Sequence, residues 1–196
     1  MKSTPRARNP GQPPATAAPD ALALVLQAAS FAADRHRKQR RKDLHATPYI
    51  NHPLALASTL AVEGGVTDPE VIAAALLHDT LEDTQTTASE LREAFGRRVA
   101  DMVEEVTDDP DLGNDDRKQR QIDHAPHLSH GAKLVKLADK ICNLRDISRS
   151  PPSGWSLERQ QAYFDWAKAV VDGMRGAHPE LERIFDEAFR MRPVHA

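Results

Sequence analysis

The sequence has 196 residues, 40% of them hydrophobic and 28% charged, with a formal net charge of −3 and one cysteine. Its length and composition suit one globular domain with a sizeable core, and its slightly acidic balance argues against a general nucleic-acid binder. The single Cys142 excludes an intramolecular disulfide and a thiolate metal cluster. No apolar run has the length of a membrane span or the form of a secretory signal, so we expect a cytoplasmic protein without membrane contact.

The first nineteen residues differ from the rest of the chain in composition. Five prolines stand among them with the basic residues Lys2, Arg6 and Arg8, which predicts a disordered tail over 1–19. From 20 to 192 the apolar residues recur with helical spacing, and no stretch alternates as a strand would. The sequence therefore predicts an all-α fold, a single helical bundle over residues 20–192.

A dense basic run, Arg35 to Lys42, follows the first predicted helix. A run of like charges is commonly a solvated surface, and its residue types alone favour that interpretation slightly over an anion-binding clamp. After a turn over 43–48, the second helix is predicted to carry His52 on its first turn and to end at Gly64-Gly65.

The stretch from Ala75 to Thr84 carries the strongest functional signal. The preceding run over 71–77 is wholly apolar and predicts a buried helix. We expect the same helix to continue through residue 83, which would place ionisable residues four apart on one face. Buried charges are costly unless they are paired or bind a metal, although a solvated helix end and a core histidine are the structural alternatives. The ionisable residues are His78, Asp79, Glu82 and Asp83.

The remaining predicted elements are helices and short loops. Asp68-Pro69 is typical of an N-cap followed by proline, and Thr87-Ala-Ser-Glu90 of a capping box. The predicted elements that follow are a short helix ending near Gly96, a helix from Val99 to Val106, an acidic loop over 107–116, a polar helix over 117–124, a strongly periodic helix over 132–147 and two C-terminal helices over 156–174 and 178–191.

The periodic helix contributes one more ionisable side chain. Asp139 lies beside its apolar stripe, where it could simply pair with Lys136 or Lys140. Helical bundles commonly build metal sites from inward-facing side chains of several helices. Imidazole and carboxylate ligands suit manganese, iron, cobalt or zinc, and such a metal can lower the pKa of bound water toward roughly 7. The candidate ligands are His52, His78, Asp79 and Asp139.

Several longer motifs carry a resemblance to a known family. They are Arg40-Arg-Lys-Asp43, Thr47-Pro-Tyr-Ile-Asn-His-Pro53, Ala74-Ala-Leu-Leu-His-Asp-Thr-Leu-Glu-Asp-Thr84, Phe95-Gly96, Val106-Thr-Asp-Asp109 and Lys133-Leu-Val-Lys-Leu-Ala-Asp-Lys140 with Asn143-Leu-Arg-Asp146. The H…HD…D pattern resembles the HD-domain metal-dependent phosphohydrolases. The longer motifs resemble the (p)ppGpp hydrolases, which form the hydrolase half of the RelA/SpoT enzymes and also occur as stand-alone small alarmone hydrolases of the MESH1 type. The resemblance runs from about Asp20 to Arg190.

The resemblance implies an activity and roles for particular residues. It implies hydrolysis of the 3′-diphosphate ester of ppGpp or pppGpp to GDP or GTP plus pyrophosphate. Glu82 and Asp83 match the pair that positions the attacking water and handles its proton. General acid–base catalysis of this kind typically raises the reaction rate roughly 10²–10⁴-fold. The implied ligands of one manganese ion are His52, His78, Asp79 and Asp139. The implied substrate contacts are Arg41, Lys42, Tyr49, Asn143 and Tyr163, which favours the anion clamp for the end of the basic run.

One departure and two other functions bear on this interpretation. Pro110 stands where close relatives usually carry lysine, and Asp111 and Asp115 make the loop more acidic, which would reduce substrate affinity if the loop borders the pocket. A second hypothesis is an HD phosphohydrolase that acts on another nucleotide, such as the 2′-phosphate of NADPH. A third is a non-catalytic alarmone sensor, which we would expect to lack part of the ligand set or the Glu82-Asp83 pair.

Overall fold

The computed structural model describes residues 21–194, and the predicted tail over 1–19 lies outside them. Its α-helices are α1 (Ala21–Arg35), α2 (Asn51–Ser58), α3 (Pro69–Leu77), α4 (Thr80–Asp83), α5 (Ala88–Phe95), α6 (Arg97–Val106), α7 (Asn114–His124), α8 (His130–Arg149), α9 (Leu157–Asp172) and α10 (Pro179–Phe189); a π-helix, Thr59–Glu63, continues α2, and a 3-10 helix, Ala125–His127, follows α7. Within 21–194 no residue belongs to a strand, although Arg40 and Pro48 form an isolated bridge. The predicted all-α fold is confirmed.

Helix α8 lies at the centre of the bundle. It packs against α2, α3, α6, α9 and α10. The stripe predicted from the sequence forms its buried face, and Gly131 allows a close approach to α6, because a Cβ at this position would meet the Sδ atom of Met102 at 2.3 Å. Burial of apolar side chains such as these is the main driving force of folding. The stripe residues are Leu134, Leu137, Ala138, Ile141 and Leu144.

The helix predicted to run through residue 83 is interrupted, which corrects the sequence interpretation. α3 ends at Leu77, and Asp79 has φ −97° and ψ 1°, in the sparsely populated region where active-site residues often occur. The hydroxyl of Thr80, which is fully buried, donates to the carbonyl oxygen of Leu77 at 2.7 Å and satisfies the end of α3. The prediction that His78 and Glu82 lie on one continuous helix was therefore wrong, although both side chains line one cavity.

Helix α7 begins at Asn114, three residues earlier than the sequence interpretation placed it. Asp115 and Asp116 lie in its first turn, where negative charge interacts favourably with the helix dipole. The acidic loop is correspondingly shorter, over 107–113. The helix has no buried residue and is held to α9 through the indole N–H of Trp166, which donates to the carbonyl oxygen of Lys118 at 3.1 Å.

The predicted caps are present, and they fix the ends of the helices. The carboxylate of Asp68 accepts from the N–H of Glu70 at 3.0 Å, and the hydroxyl of Thr87 accepts from the N–H of Glu90 at 3.2 Å. No helix of the described chain is both long and apolar enough to cross a bilayer.

Candidate active site

Three side chains from three separate segments meet in the bundle. His52 lies in the first turn of α2, His78 directly follows α3, and Asp139 lies in the middle of α8. One ligand atom of each residue lies within 4.8 Å of the other two. Both histidines are buried, and the side chain of Asp139 is 13% exposed. Two imidazoles and a carboxylate at this spacing could hold a divalent metal of the first transition row.

The hydrogen bonding of His78 fits a metal ligand. Its Nδ1 donates to the carbonyl oxygen of Ala75 at 2.8 Å, which leaves Nε2 to bind a proton or a metal ion. Nε2 is buried without a hydrogen-bond partner, although a carboxylate oxygen of Asp79 lies 2.8 Å away. A proton on Nε2 or a metal ion can lie between the ring and this carboxylate; burial would lower the pKa of His78, but the charge of Asp79 outweighs it and raises the pKa. The ring orientation is the one that ligating histidines adopt when a carbonyl fixes the other nitrogen.

Asp79 lies beside this cluster rather than in it. Its carboxylate accepts from the hydroxyl of Tyr49 and faces His78, and it is not among the three residues whose ligand atoms converge. Burial alone would raise the pKa of Asp79, but the adjacent His78 outweighs it and holds the pKa well below its usual range. Burial and the Asp79 charge also raise the pKa of Tyr49, so its hydroxyl stays protonated and available as a donor.

Asp139 is held by a polar neighbour on each side. The amide of Asn143 donates to one carboxylate oxygen at 2.6 Å, and the ammonium of Lys140 donates to the other at 3.2 Å. Burial would raise the pKa of Asp139, but Lys140 and His52 hold it well below its usual range. Lys140 is itself buried, with its Nζ 4.1 Å from the ring centroid of Trp166. The structural alternative, a pair with Lys140, is therefore present together with the cluster.

Glu82 and Asp83 lie on α4 at the edge of the cluster. Burial and the charge of Asp108 raise the pKa of Glu82, while burial and the charge of Asp79 raise the pKa of Asp83. A carboxylate with a raised pKa is a stronger base once it is ionised. The N–H of Asp108 donates to Oε2 of Glu82 at 3.2 Å, which fixes the direction of the carboxylate.

Two cavities adjoin the cluster. The larger has a volume of about 560 Å³ and includes Lys42 and Asp83 in its wall, and the smaller has about 180 Å³ and includes His78 and Glu82. Four of the five predicted substrate contacts line both cavities, as does His52. The cluster therefore lies where the two cavities meet, a position from which it could act on a bond between the two ends of an elongated ligand. The shared predicted contacts are Arg41, Tyr49, Asn143 and Tyr163.

Arg41 connects the basic run to the cluster. Its guanidinium donates to Asp146 at 2.6 Å and to the amide oxygen of Asn143 at 3.3 Å. Asn143 in turn donates to Asp139, so a chain of hydrogen bonds joins a potential anion-binding group to a potential metal ligand. Arg41 thus points into the site, whereas Arg37, in the same run, pairs with Asp34 at the surface.

Sequence reasoning gave no role to several residues around the site. Asp146 orients Arg41, and Gln121 on α7 donates to both carboxylate oxygens of Asp108, at 2.9 and 2.7 Å. Arg117 on the same helix approaches Glu82, with 4.0 Å between Nη1 and Oε1. No local pattern marks the residues of α7, because their position depends on how the loop over 107–113 folds back. Asp146 lies one helical turn after Asn143, which could have suggested it.

Comparison with known proteins gives consistent matches. The HD-domain family model matches residues 28–164, which run from α1 into α9. The chain is 57% identical over 167 residues to guanosine-3′,5′-bis(diphosphate) 3′-pyrophosphohydrolase MESH1 of Xenopus tropicalis, covering 85% of this chain and 93% of that protein. It is 54% identical over 170 residues to the Homo sapiens MESH1 protein, covering 87% and 95%.

One solved structure extends the match to the fold. It is described as a metazoan ortholog of SpoT that hydrolyzes ppGpp and plays a role in starvation responses. It superposes with a TM-score of 0.84 at 46% identity, and the match covers 88% of this chain and 97% of that one.

Proposed function

The chain belongs to the HD-domain family and, within it, to the MESH1-type guanosine-3′,5′-bis(diphosphate) 3′-pyrophosphohydrolases, and we propose that it hydrolyses ppGpp and pppGpp to GDP and GTP plus pyrophosphate. The observation that carries this proposal is the cluster of His52, His78 and Asp139 at the junction of the two cavities, next to Glu82. Such a position suits an elongated nucleotide whose diphosphate and nucleoside lie on opposite sides of the reacting bond.

The metal site of the proposal comprises four residues. The converging cluster supplies three donors, and the Asp79 carboxylate, 2.8 Å from His78, would complete the set by a small movement. Manganese is the ion that the family resemblance implies, and mixed imidazole and carboxylate ligands suit it. When bound, the metal would supply Lewis-acid polarisation of a phosphoryl oxygen and a bound water of lowered pKa. The proposed ligands are His52, His78, Asp79 and Asp139.

The chain's own carboxylates handle the proton of the attacking water. Glu82 is held in direction by the N–H of Asp108, and Asp83 lines the larger cavity beside it. In the reaction, the water oxygen bonds to the phosphorus next to the ribose 3′-oxygen and the bond from that phosphorus to the 3′-oxygen breaks. Glu82 or Asp83 takes the proton from water, and the 3′-oxygen leaves with the bonding electrons and receives that proton to become the 3′-hydroxyl.

The proposed substrate contacts are two basic residues, one asparagine and two tyrosines. Arg41 and Lys42 place positive charge on the larger cavity, where they would offset the charge of the phosphates. Asn143 accepts from Arg41 and donates to Asp139, so it fixes the positions of these two side chains relative to each other. Tyr49 and Tyr163 line both cavities; the Tyr49 hydroxyl donates to Asp79, so Tyr49 would also orient that carboxylate.

A product assay tests the proposal. Purified protein would be incubated with manganese and ppGpp, with and without a chelator, and the products separated by ion-exchange chromatography. Chelator-sensitive release of GDP and pyrophosphate is expected. Asp79→Ala should lose metal and turnover together, and the exposed His45→Ala serves as the control.

Other outcomes would point to the two remaining hypotheses. Orthophosphate released from NADPH, with no product from ppGpp, would favour a phosphatase for another nucleotide. Tight binding of ppGpp without turnover by the manganese-loaded protein would favour a sensor. We place the reaction in the cytoplasm, in keeping with a single cysteine, Cys142, that is free and buried.

A further inference from the structure

Helix α7 forms one side of the smaller cavity without being part of the core. It has no buried residue, and its docking depends on polar contacts with α9 and with the loop over 107–113. Gln121 lines the cavity and binds both carboxylate oxygens of Asp108, whose N–H holds Glu82. The helix therefore presents its side chains to the same space as the proposed catalytic carboxylate.

Arg117 is the α7 cation at the margin of this space: it does not line the cavity itself but lies next to Glu82, which does, and within the described residues its donors make no hydrogen bond. Its Nη1 lies 4.0 Å from Oε1 of Glu82, beyond hydrogen-bond length, and its Nε is buried without any hydrogen-bond partner. By contrast, Arg120, one turn further along α7, donates to Asp109 at 2.9 Å. A guanidinium offers five N–H donors in a fixed fork that matches phosphate oxygens, so an unsatisfied one beside a cavity is suited to an anion.

The charges around the smaller cavity require such a cation on this side. The carboxylates of Glu82 and Asp108 face it together. Three basic residues line it and each is already engaged, Lys136 with the carbonyl oxygen of Val106, Lys140 with Asp139 and Arg41 with Asp146. A diphosphate that enters next to Glu82 would meet repulsion unless a positive group lies opposite, because Coulomb interactions are strong where water is partly excluded.

We propose that Arg117 binds the non-bridging oxygens of the substrate's 3′-diphosphate from the α7 side, opposite Arg41. This inference rests on the proposed function, and it assigns the smaller cavity to the 3′-diphosphate and the larger one to the nucleoside with its 5′-phosphates, which Lys42 would face. Arg117 donates hydrogen bonds and transfers no proton. It offsets the charge that develops on the diphosphate while the bond to the 3′-oxygen breaks.

Binding of inorganic pyrophosphate tests the inference apart from turnover. Calorimetry on the full chain loaded with manganese would compare the wild type with Arg117→Met, which keeps the length of the side chain and removes its charge. Arg120→Met is the matched control, since Arg120 lies on the same helix and its donors go to Asp109. Loss of a charge-assisted contact should weaken the affinity for pyrophosphate by about 10- to 100-fold in Arg117→Met and leave the control unchanged.

Kinetics with ppGpp complete the test. We expect Arg117→Met to lower kcat/KM at least as much as it lowers pyrophosphate affinity, and Arg117→Lys, which keeps the charge but loses the fork, to recover part of both. An unchanged affinity for pyrophosphate in Arg117→Met would overturn the inference. A fall in kcat with unchanged pyrophosphate affinity would also overturn it, because Arg117 would then act only by orienting Glu82.

The same data separate this inference from the proposed function. If the wild type binds pyrophosphate through Arg117 but releases none from ppGpp, the proposed function fails and the anion contact stands. If the wild type hydrolyses ppGpp and Arg117→Met matches it in kcat, KM and pyrophosphate affinity, the proposed function stands and the contact fails.

Discussion

Metal binding should stabilise the fold strongly, because the proposed ligands join three segments of the bundle. His52, His78 and Asp139 come from α2, the bend after α3 and α8, and their ligand atoms lie within 4.8 Å of one another. Without a cation, Nε2 of His78 faces a carboxylate oxygen of Asp79 at 2.8 Å with no hydrogen-bond partner. A divalent ion would bind between these two groups in the folded state only.

The size of the effect follows from mass action. A ligand that binds only the folded state at a free concentration 100 times its Kd stabilises the fold by about 2.7 kcal/mol. For proteins of about 150–250 residues, each kcal/mol raises Tm by roughly 2–4 °C. Manganese at that concentration should therefore raise Tm by about 5–11 °C.

Thermal unfolding with and without manganese measures this shift. Asp139→Asn keeps the volume of the side chain and removes a charged ligand, so we expect it to lose most of the shift. His45→Ala, at an exposed histidine outside the cluster, should keep all of it. A shift in Asp139→Asn equal to that of the wild type would refute the reasoning, and so would a wild type with no shift at saturating manganese.

Three further predictions concern catalysis and the core. Glu82→Gln should lower kcat by roughly 10²–10⁴-fold and keep the manganese-dependent rise in Tm, and a loss of that rise would show that Glu82 binds metal. Burial and Asp108 raise the pKa of Glu82, so activity should fall as the pH falls through that raised value. Asp108→Asn removes the like charge and should move this acid limb to lower pH, which a pH-rate profile of kcat/KM would reveal. Phe164→Ala removes a fully buried ring and should cost about 3–5 kcal/mol in chemical denaturation, whereas a cost below about 1 kcal/mol would show that the core collapses around the site.

The helices and their ends could be predicted because their signals are local. Asp68 and Thr87 cap their helices through atoms within three residues, and a carboxylate or hydroxyl at an N-cap has few other partners to choose. The apolar stripe of α8 was equally clear, since apolar residues that recur about every 3.6 positions over several turns indicate an amphipathic α-helix. Such features depend on neighbours in the sequence and little on the rest of the fold.

The bend at Asp79 could not be predicted from the same kind of signal. His78 to Asp83 is compatible with a helix at every position, and the interruption goes with one tertiary contact, the Tyr49 hydroxyl on Asp79, beside a local bond from the Thr80 hydroxyl to the carbonyl oxygen of Leu77. The family resemblance assigned roles to these residues without their geometry. With this bend, His78, Asp79 and Glu82 all line the smaller cavity.

The polar network explains why the residues with the strongest sequence signal depend on others with none. Asn143 touches both Arg41 and Asp139, and Asp146 accepts from the same Nη2 atom of Arg41 as Asn143 does. A substrate phosphate that binds Nη2 of Arg41 would compete with Asp146, and a movement of Arg41 toward it would change the hydrogen bond from Arg41 to Asn143. Phosphate binding and the orientation of a metal ligand are therefore linked through one amide, which is the physical reason for an asparagine rather than an apolar residue on this face of α8.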